Sequence, residues 1–461
     1  MSAMVAPSLV AASEVEDIKL HVKSGHTTID EALTAARARF VERNPNSLKL
    51  HEEAVKSLPG GNTRTLLHNA PFPAFIKSGR DYQVTSEDGH TYSDFVGEMT
   101  AGLYGHSQPA IQSALISVIQ EVGLSLGGTT KLESQHAALL CSRFRLDRIR
   151  FTNSGTEATL HAIAGAKAYT GRSKVVVFTG AYHGACFMFP RDVPTPNVID
   201  RSGWIIAEYN DVEDARRKIE DESPDDVAAV LIEGMQGAGP CIVGRSDFLL
   251  QVQASARKIG AVFILDEVMT SRLAPGGLQE LEGLRPDLTT MGKYLGGGVS
   301  FGAFGGREDV MRVYDPREGN ALAHSGTFNN NTLSMMAGHA GLSKVYTPDV
   351  AREFNSMGDS FRQRLQAISQ GTKLTVTGRG SLLGVHFLTD GRKELNSYRD
   401  RKDDEGLKEL FWLELMEDGF WLQRRGSISL MLPTPKEEID RFVHCVEDFL
   451  TRHASLVRLP S

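Results

Sequence analysis

Four apolar runs, RIRFTN, KVVVF, DVAAVLIE and GAVFILDEV, follow one another through the middle of the chain, separated by segments of helix length. That pattern is the one a parallel sheet wrapped by crossover helices requires, so the chain is expected to be an α/β protein with this sheet as its main core. The flanks read differently. Thr28 and Glu31 form a capping box before ALTAARARF, and a Pro-Gly-Gly break follows at Pro59 to Gly61. From Phe75 to Phe95, short apolar pieces alternate with turns such as Glu87-Asp88-Gly89, which predicts antiparallel strands. Beyond about residue 340 a helical stretch leads to strand-like TVTGRG, LLGVHF and SISLML. A last helix is expected to start from a box at Thr434 and Glu437, with Ile439, Phe442, Val443, Val446, Phe449 and Leu450 on one face. The expected plan is a flexible tail over residues 1–25 and a small domain built from 26–95 and 341–461. A large domain fills 96–340, because neither end has enough strands to bury a face alone.

Several function classes are set aside by composition. Fifty basic and fifty-seven acidic residues leave a net charge of -7, with no run of one sign suited to nucleic acid. Cys141, Cys186, Cys241 and Cys445 are far apart and make no CxxC pair, so no zinc site or disulfide framework is expected. No stretch approaches the roughly 18 apolar residues of a membrane span, and the apolar start has no basic region before Glu14 to Asp17. A cytoplasmic protein with small-molecule partners is the expectation.

Chemistry concentrates where the apolar runs end. After RIRFT, Ser154, Gly155 and Thr156 sit at the expected start of a helix, where free amides, the helix dipole and two hydroxyls suit a phosphate. Taken alone, the same residues would be an ordinary helix cap. Asp266 closes the run GAVFILD, at the edge where open α/β sheets bind ligands. A carboxylate there would hold a pyridinium nitrogen protonated and keep such a ring an electron sink. Val268, two residues on and on the same strand face, would pack against the ring. Lys293, in MGKYLGGGVSFGAFGG, lies among small and apolar residues, so burial should favour the neutral amine that attacks an aldehyde. Those glycines follow no clear strand and make no GxGxxG turn, which argues against a nicotinamide dehydrogenase. Tyr182 and His183 follow KVVVF, where an aromatic ring can stack on a planar cofactor. Glu233 and Gln236 follow DVAAVLI, within expected reach of the cofactor's phenolic oxygen or its neighbours, and Thr327 lies in a polar loop with three asparagines.

The ordered set NSGTEA, YHG, E-x-MQG, DEV and GKYLGGG closely resembles the class III, fold-type I aminotransferases, in their glutamate-1-semialdehyde aminomutase branch. Through PGGNTR, TAGLYGHS, RFTNSGTEA, DEVMTSRLAP, GKYLGGGVSFGAFGG and AHSGTFNNN it is most similar to β-phenylalanine aminotransferases, from about Thr28 to the C-terminus. The resemblance implies pyridoxal 5'-phosphate (PLP) as cofactor and a large domain with a mostly parallel sheet of the seven-stranded type, beside a small α/β domain. By the same likeness, Lys293 carries PLP as a Schiff base, Asp266 pairs the pyridinium nitrogen, and Ser154, Gly155 and Thr156 bind its phosphate. Tyr182 and Val268 cover the two ring faces, and Thr327 reaches the neighbour's phosphate across a two-fold homodimer. Arg64 and Arg425 resemble arginines that grip the substrate carboxylate. Departures from the pattern are Glu233-Gly234, where Glu-Pro is usual and a looser turn is expected, and Arg424 in place of proline. The implied reaction is ping-pong transamination of an aromatic β-amino acid, with 2-oxoglutarate or pyruvate as acceptor. Its alternatives are an intramolecular aminomutase, an ω-amine transaminase and a catalytically silent PLP-fold binding protein.

Overall fold

The computed structural model describes residues 28–190, 193–198 and 201–459. The expected tail over 1–25 lies outside them. Thr28 and Glu31 close the expected capping box, starting the helix Ile29–Arg43. Its buried Ala32, Leu33, Ala36 and Phe40 face the helix Glu405–Glu417 from the other end of the chain. Arg37 and Arg39 reinforce that contact through Glu409 (2.6 Å) and Glu417 (2.8 Å).

Seven strands make the central sheet, in the order Arg148–Thr152, Gly302–Gly306, Leu288–Gly292, Val262–Asp266, Val227–Glu233, Lys174–Phe178, Trp204–Ala207. Gly302–Gly306 runs antiparallel to both its neighbours, while the pairs from Leu288–Gly292 outward are parallel. The carboxyl ends of the parallel strands therefore share one edge. Each residue of Val227–Glu233 and Val262–Asp266 is buried, as expected of strands covered by helices on both faces.

The glycine-rich segment corrects the sequence reading. A fully buried strand, Leu288–Gly292, does precede Lys293, and GAFGG is itself an interior strand. Propensity disfavours glycine there, but close approach requires it: a Cβ on Gly302 would fall 2.1 Å from the Ser154 carbonyl oxygen, and one on Gly306 2.0 Å from that of Asp287.

Two further sheets come from the chain ends. Ile76–Arg80, Gln83–Ser86 and Thr91–Asp94 are antiparallel as expected, and Phe420–Trp421 adds in parallel to the last of them. Leu374–Arg379, Leu382–Phe387 and Ser427–Ser429 form an antiparallel three-stranded sheet. The last long helix, Lys436–Arg452, buries the six expected apolar residues. Its expected capping box is absent. Pro435 takes the cap position without a side-chain bond, and the Thr434 hydroxyl is buried without a partner.

An aromatic cluster ties the ends together. Phe442 stacks on Phe95 with ring centres 4.7 Å apart and meets Phe420 and Phe361 edge-on at 5.0 and 5.6 Å. Phe442 has no exposed surface. Phe442→Ala is expected to cost about 3–5 kcal/mol, the range for deleting a buried phenyl ring, read as a lower midpoint in denaturant unfolding.

Candidate active site

Parallel strands deliver their C-terminal residues to one place. Asp266 ends its strand directly beside Glu233 on one side and Thr290 on the other. Gly292 ends the next strand, and Lys293 follows it in a left-handed conformation with φ of 56°. Conformations of that kind in non-glycine residues concentrate at functional sites.

Around Asp266 the polar groups are tightly assigned. Its Oδ2 lies 2.7 Å from His183 Nδ1, and its Oδ1 accepts the Val268 amide at 3.0 Å. Burial alone would push the His183 pKa down, but its hydrogen bond to Asp266 and the charges of Asp266 and Glu233 leave it raised. His183 Nε2 is buried with no partner among the described residues. Glu233 accepts the amides of Tyr182 at 2.9 Å and Gly237 at 3.0 Å, and burial pushes its carboxyl up to about 7. Gln236 donates to the Thr179 carbonyl at 2.8 Å, bracing the turn that leads to Tyr182.

Lys293 keeps a little accessible surface, yet enough protein surrounds it to matter. Burial first, and Arg425 second, bring its amine down to about 8. No hydrogen bond or ion pair takes that amine among the described residues. Arg425 in turn is held by its Nε donating to Gln423 Oε1 at 2.8 Å, and burial lowers its own pKa, with Cys241 and Tyr182 among the groups that act on it. Cys241, buried and left-handed at φ 57°, is a neighbour that no spacing in the sequence announced.

The helix Gly155–Thr170 starts at this edge. Ser154 is its N-cap and accepts the Glu157 amide at 3.2 Å, which leaves the Gly155 and Thr156 amides without intrahelical acceptors. Two glycines shape the cradle. A Cβ on Gly155 would lie 2.9 Å from the Val268 methyls, and one on Gly184 2.2 Å from Thr156 Oγ1. Gly184, in the YHG motif, is a packing residue that sequence reasoning passed over.

Val268 corrects the sequence reading in one respect: the strand stops at Asp266, and Val268 lies in the turn beyond it, facing the helix start. Gly234 leaves room for a neighbour. Its missing side chain is replaced by Leu278, whose methyl lies 2.3 Å from where a Cβ would be. Arg424 spends its charge on Glu409, at 2.8 Å, away from Arg425. Tyr182 is partly exposed at the edge, in a two-residue strand paired with Met188–Phe189. Among the described residues, neither Thr327 nor Arg64 makes a hydrogen bond or ion pair with the other candidate residues. Thr327 is exposed on its loop, and Arg64 is exposed in an ion pair with Glu98.

These residues fit PLP. An anion cradle at a helix start, a buried carboxylate, an unpaired amine of lowered pKa and an aromatic side chain converge on one sheet edge, the donor set that a phosphorylated pyridine aldehyde requires.

Comparison with known proteins gives the family. The model of the family described as aminotransferase class-III matches residues 67–190 and 192–450. The beta-phenylalanine transaminase of Variovorax paradoxus is 45% identical over 437 residues, 94% of this chain and 99% of that protein. A glutamate-1-semialdehyde 2,1-aminomutase of Clostridium kluyveri is 32% identical over 424 residues, 87% of this chain and 99% of that one. The crystal structure of the V. paradoxus beta-phenylalanine aminotransferase superposes with a TM-score of 0.91 at 44% identity, covering 94% of this chain and 100% of that chain. The chain therefore belongs to the class-III aminotransferases, PLP-dependent enzymes of fold-type I.

Proposed function

We propose that this aminotransferase moves the amino group of an aromatic β-amino acid to 2-oxoglutarate or pyruvate in a ping-pong cycle, as a cytoplasmic homodimer. The observation that carries the substrate class is the near full-length likeness to a β-phenylalanine transaminase, together with Arg425 close enough to Lys293 to lower its pKa. A cationic fork beside the reacting amine suits an amino acid better than a simple amine.

When bound, PLP supplies an aldehyde for the amine and a ring that draws electrons from the substrate carbon. In this reading Ser154, Gly155 and Thr156 hold the phosphate, and Asp266 holds the pyridinium N–H. His183, whose pKa is raised despite burial by its hydrogen bond to Asp266 and by the charges of Asp266 and Glu233, orients the Asp266 carboxylate at 2.7 Å. Tyr182 and Val268 bound the two ring faces. Glu233 and Gln236 fix the turns that carry Tyr182 and the residues after the Glu233 strand. Lys293 Nζ, neutral once the cycle frees it, would take the proton from the substrate carbon that bears the amine and deliver it to the cofactor's C4', and the second half of the cycle would reverse that transfer. Arg425 and Arg64 orient the substrate carboxylate.

Exposed apolar side chains support the homodimer. Ile116, Ile119, Leu124 and Leu126 are more than half exposed, as is Phe328, next to Thr327. Thr332 Oγ1 donates to the Gly123 carbonyl at 3.0 Å, which ties the end of the Thr327 loop to that apolar segment. A second copy covering this patch would bring Thr327 to its neighbour's phosphate cradle.

The deciding experiment is a panel of α- and β-amino acids of both hands, each with pyruvate and with 2-oxoglutarate. Turnover of aromatic β-amino acids that stops without an acceptor is the expected result; conversion of one substrate alone marks the aminomutase alternative, and reaction of simple ω-amines only marks the other. Lys293→Ala is expected to abolish turnover and the near-visible absorbance of the loaded enzyme. In the cofactor-free protein, competitive labelling of the Lys293 amine should rise with pH to a midpoint near 8, because the neutral form predominates above the lowered pKa. Ile119→Glu places a charge in the proposed interface, so sedimentation should report monomers and activity should fall at least tenfold.

A further inference from the structure

Residues Gly97 to Thr100 make a left-handed turn, with φ of 50° at Gly97, 46° at Glu98, 52° at Met99 and 80° at Thr100. Each side chain in that region meets a steric penalty, and runs of such residues persist only where the surroundings hold them. Here they are held from two sides. Asp94 Oδ1 accepts the amides of Val96 at 2.7 Å and Gly97 at 3.0 Å, and its other oxygen meets His106 Nε2 at 3.0 Å. From beneath, Arg272 donates through Nη1 to the Thr100 carbonyl at 3.3 Å, through Nε to Ser381 Oγ at 3.2 Å and through Nη2 to the Leu430 carbonyl.

Arg272 is itself unusual. It has no exposed surface, and no carboxylate pairs with it among the described residues. A buried guanidinium without a counter-ion is costly. Its bond to Thr100 gives that cost a purpose, since it pins the end of the left-handed turn.

What the turn presents outward is Glu98. Its carboxylate pairs with Arg64 Nη1, both side chains being about half exposed. Only one of the three guanidinium nitrogens is used; Nε and Nη2 have no acceptor among the described residues. An exposed ion pair contributes little to stability, so it does not account for a strained turn and a buried cation. A rigid base for Glu98 does account for both, because it fixes one corner of the Arg64 fork and leaves the opposite edge free to take a carboxylate through two N–H groups.

We propose that Glu98, carried on the left-handed turn that Arg272 and Asp94 clamp, is a positioning residue for Arg64 and thereby sets the preference for carboxylate-bearing substrates. This inference rests on the reading of Arg64 as a substrate-carboxylate residue. The test is calorimetric binding of 3-phenylpropionate and of its neutral amide to the PLP-loaded enzyme. Glu98→Gln is expected to weaken the acid about three- to fivefold, the effect of losing an exposed orienting pair, and to leave the amide unchanged. Glu98→Gly removes the same carboxylate and relieves the backbone, so it should weaken the acid equally while raising the melting temperature. Unchanged or tighter binding of the acid by Glu98→Gln, equal weakening of acid and amide, or a lower melting temperature for Glu98→Gly would each overturn the proposal. Arg64→Ala separates the two levels: if it leaves acid binding intact, the reading of Arg64 fails. If it weakens the acid while Glu98→Gln does not, only the positioning role fails.

Discussion

Parallel pairing of the central strands is the constraint on which the rest depends. Strands that run the same way end on the same side, and only that arrangement sets Asp266 beside Glu233 and Thr290 and brings Lys293 and Ser154 to the same edge. These residues are up to about 140 positions apart in the chain. A shift of one residue in register would turn Asp266 to the opposite face of the sheet. Complete burial of the Asp266 and Glu233 strands makes such a shift expensive.

Burial also tunes the charges that meet there. The same desolvation brings Lys293 down to about 8 and Glu233 up to about 7, so an amine and a carboxyl both hold their neutral forms more readily than in water. Glu267, next to Asp266, is likewise pushed up to about 7 by burial. His183 lies against Asp266 at 2.7 Å, a histidine partner that Glu267 lacks among the described residues.

The C-terminal sheet completes what the large sheet begins. Val385 donates its amide to the Gly426 carbonyl at 2.8 Å, fixing the chain one residue after Arg425. His386, next in that strand, lies 3.1 Å from the Pro240 carbonyl, adjacent to Cys241. A Cβ on Gly384 would fall 2.1 Å from the same carbonyl oxygen, so the strand docks closely against the loop after Glu233. Arg425 comes near Lys293 through this docking rather than through proximity in the chain.

Local sequence was enough for the strands before Thr152, Phe178, Glu233 and Asp266, for the Thr28 cap and for the apolar face of the last helix, because each is written in a short periodic pattern. Gly302–Gly306 was harder to read: its glycines contradict strand propensity and make sense only beside the backbone they approach. The Thr434 box failed because Pro435 set the helix start. By itself the sequence determined the family and the order in which an α/β sheet would present its strand ends, since motif and periodicity are local properties. Tertiary structure alone decided the His183 pairing of Asp266, the neighbours that lower the Lys293 pKa and the clamp on the turn beneath Glu98. Those depend on distances between residues far apart in the chain, and no local pattern encodes them.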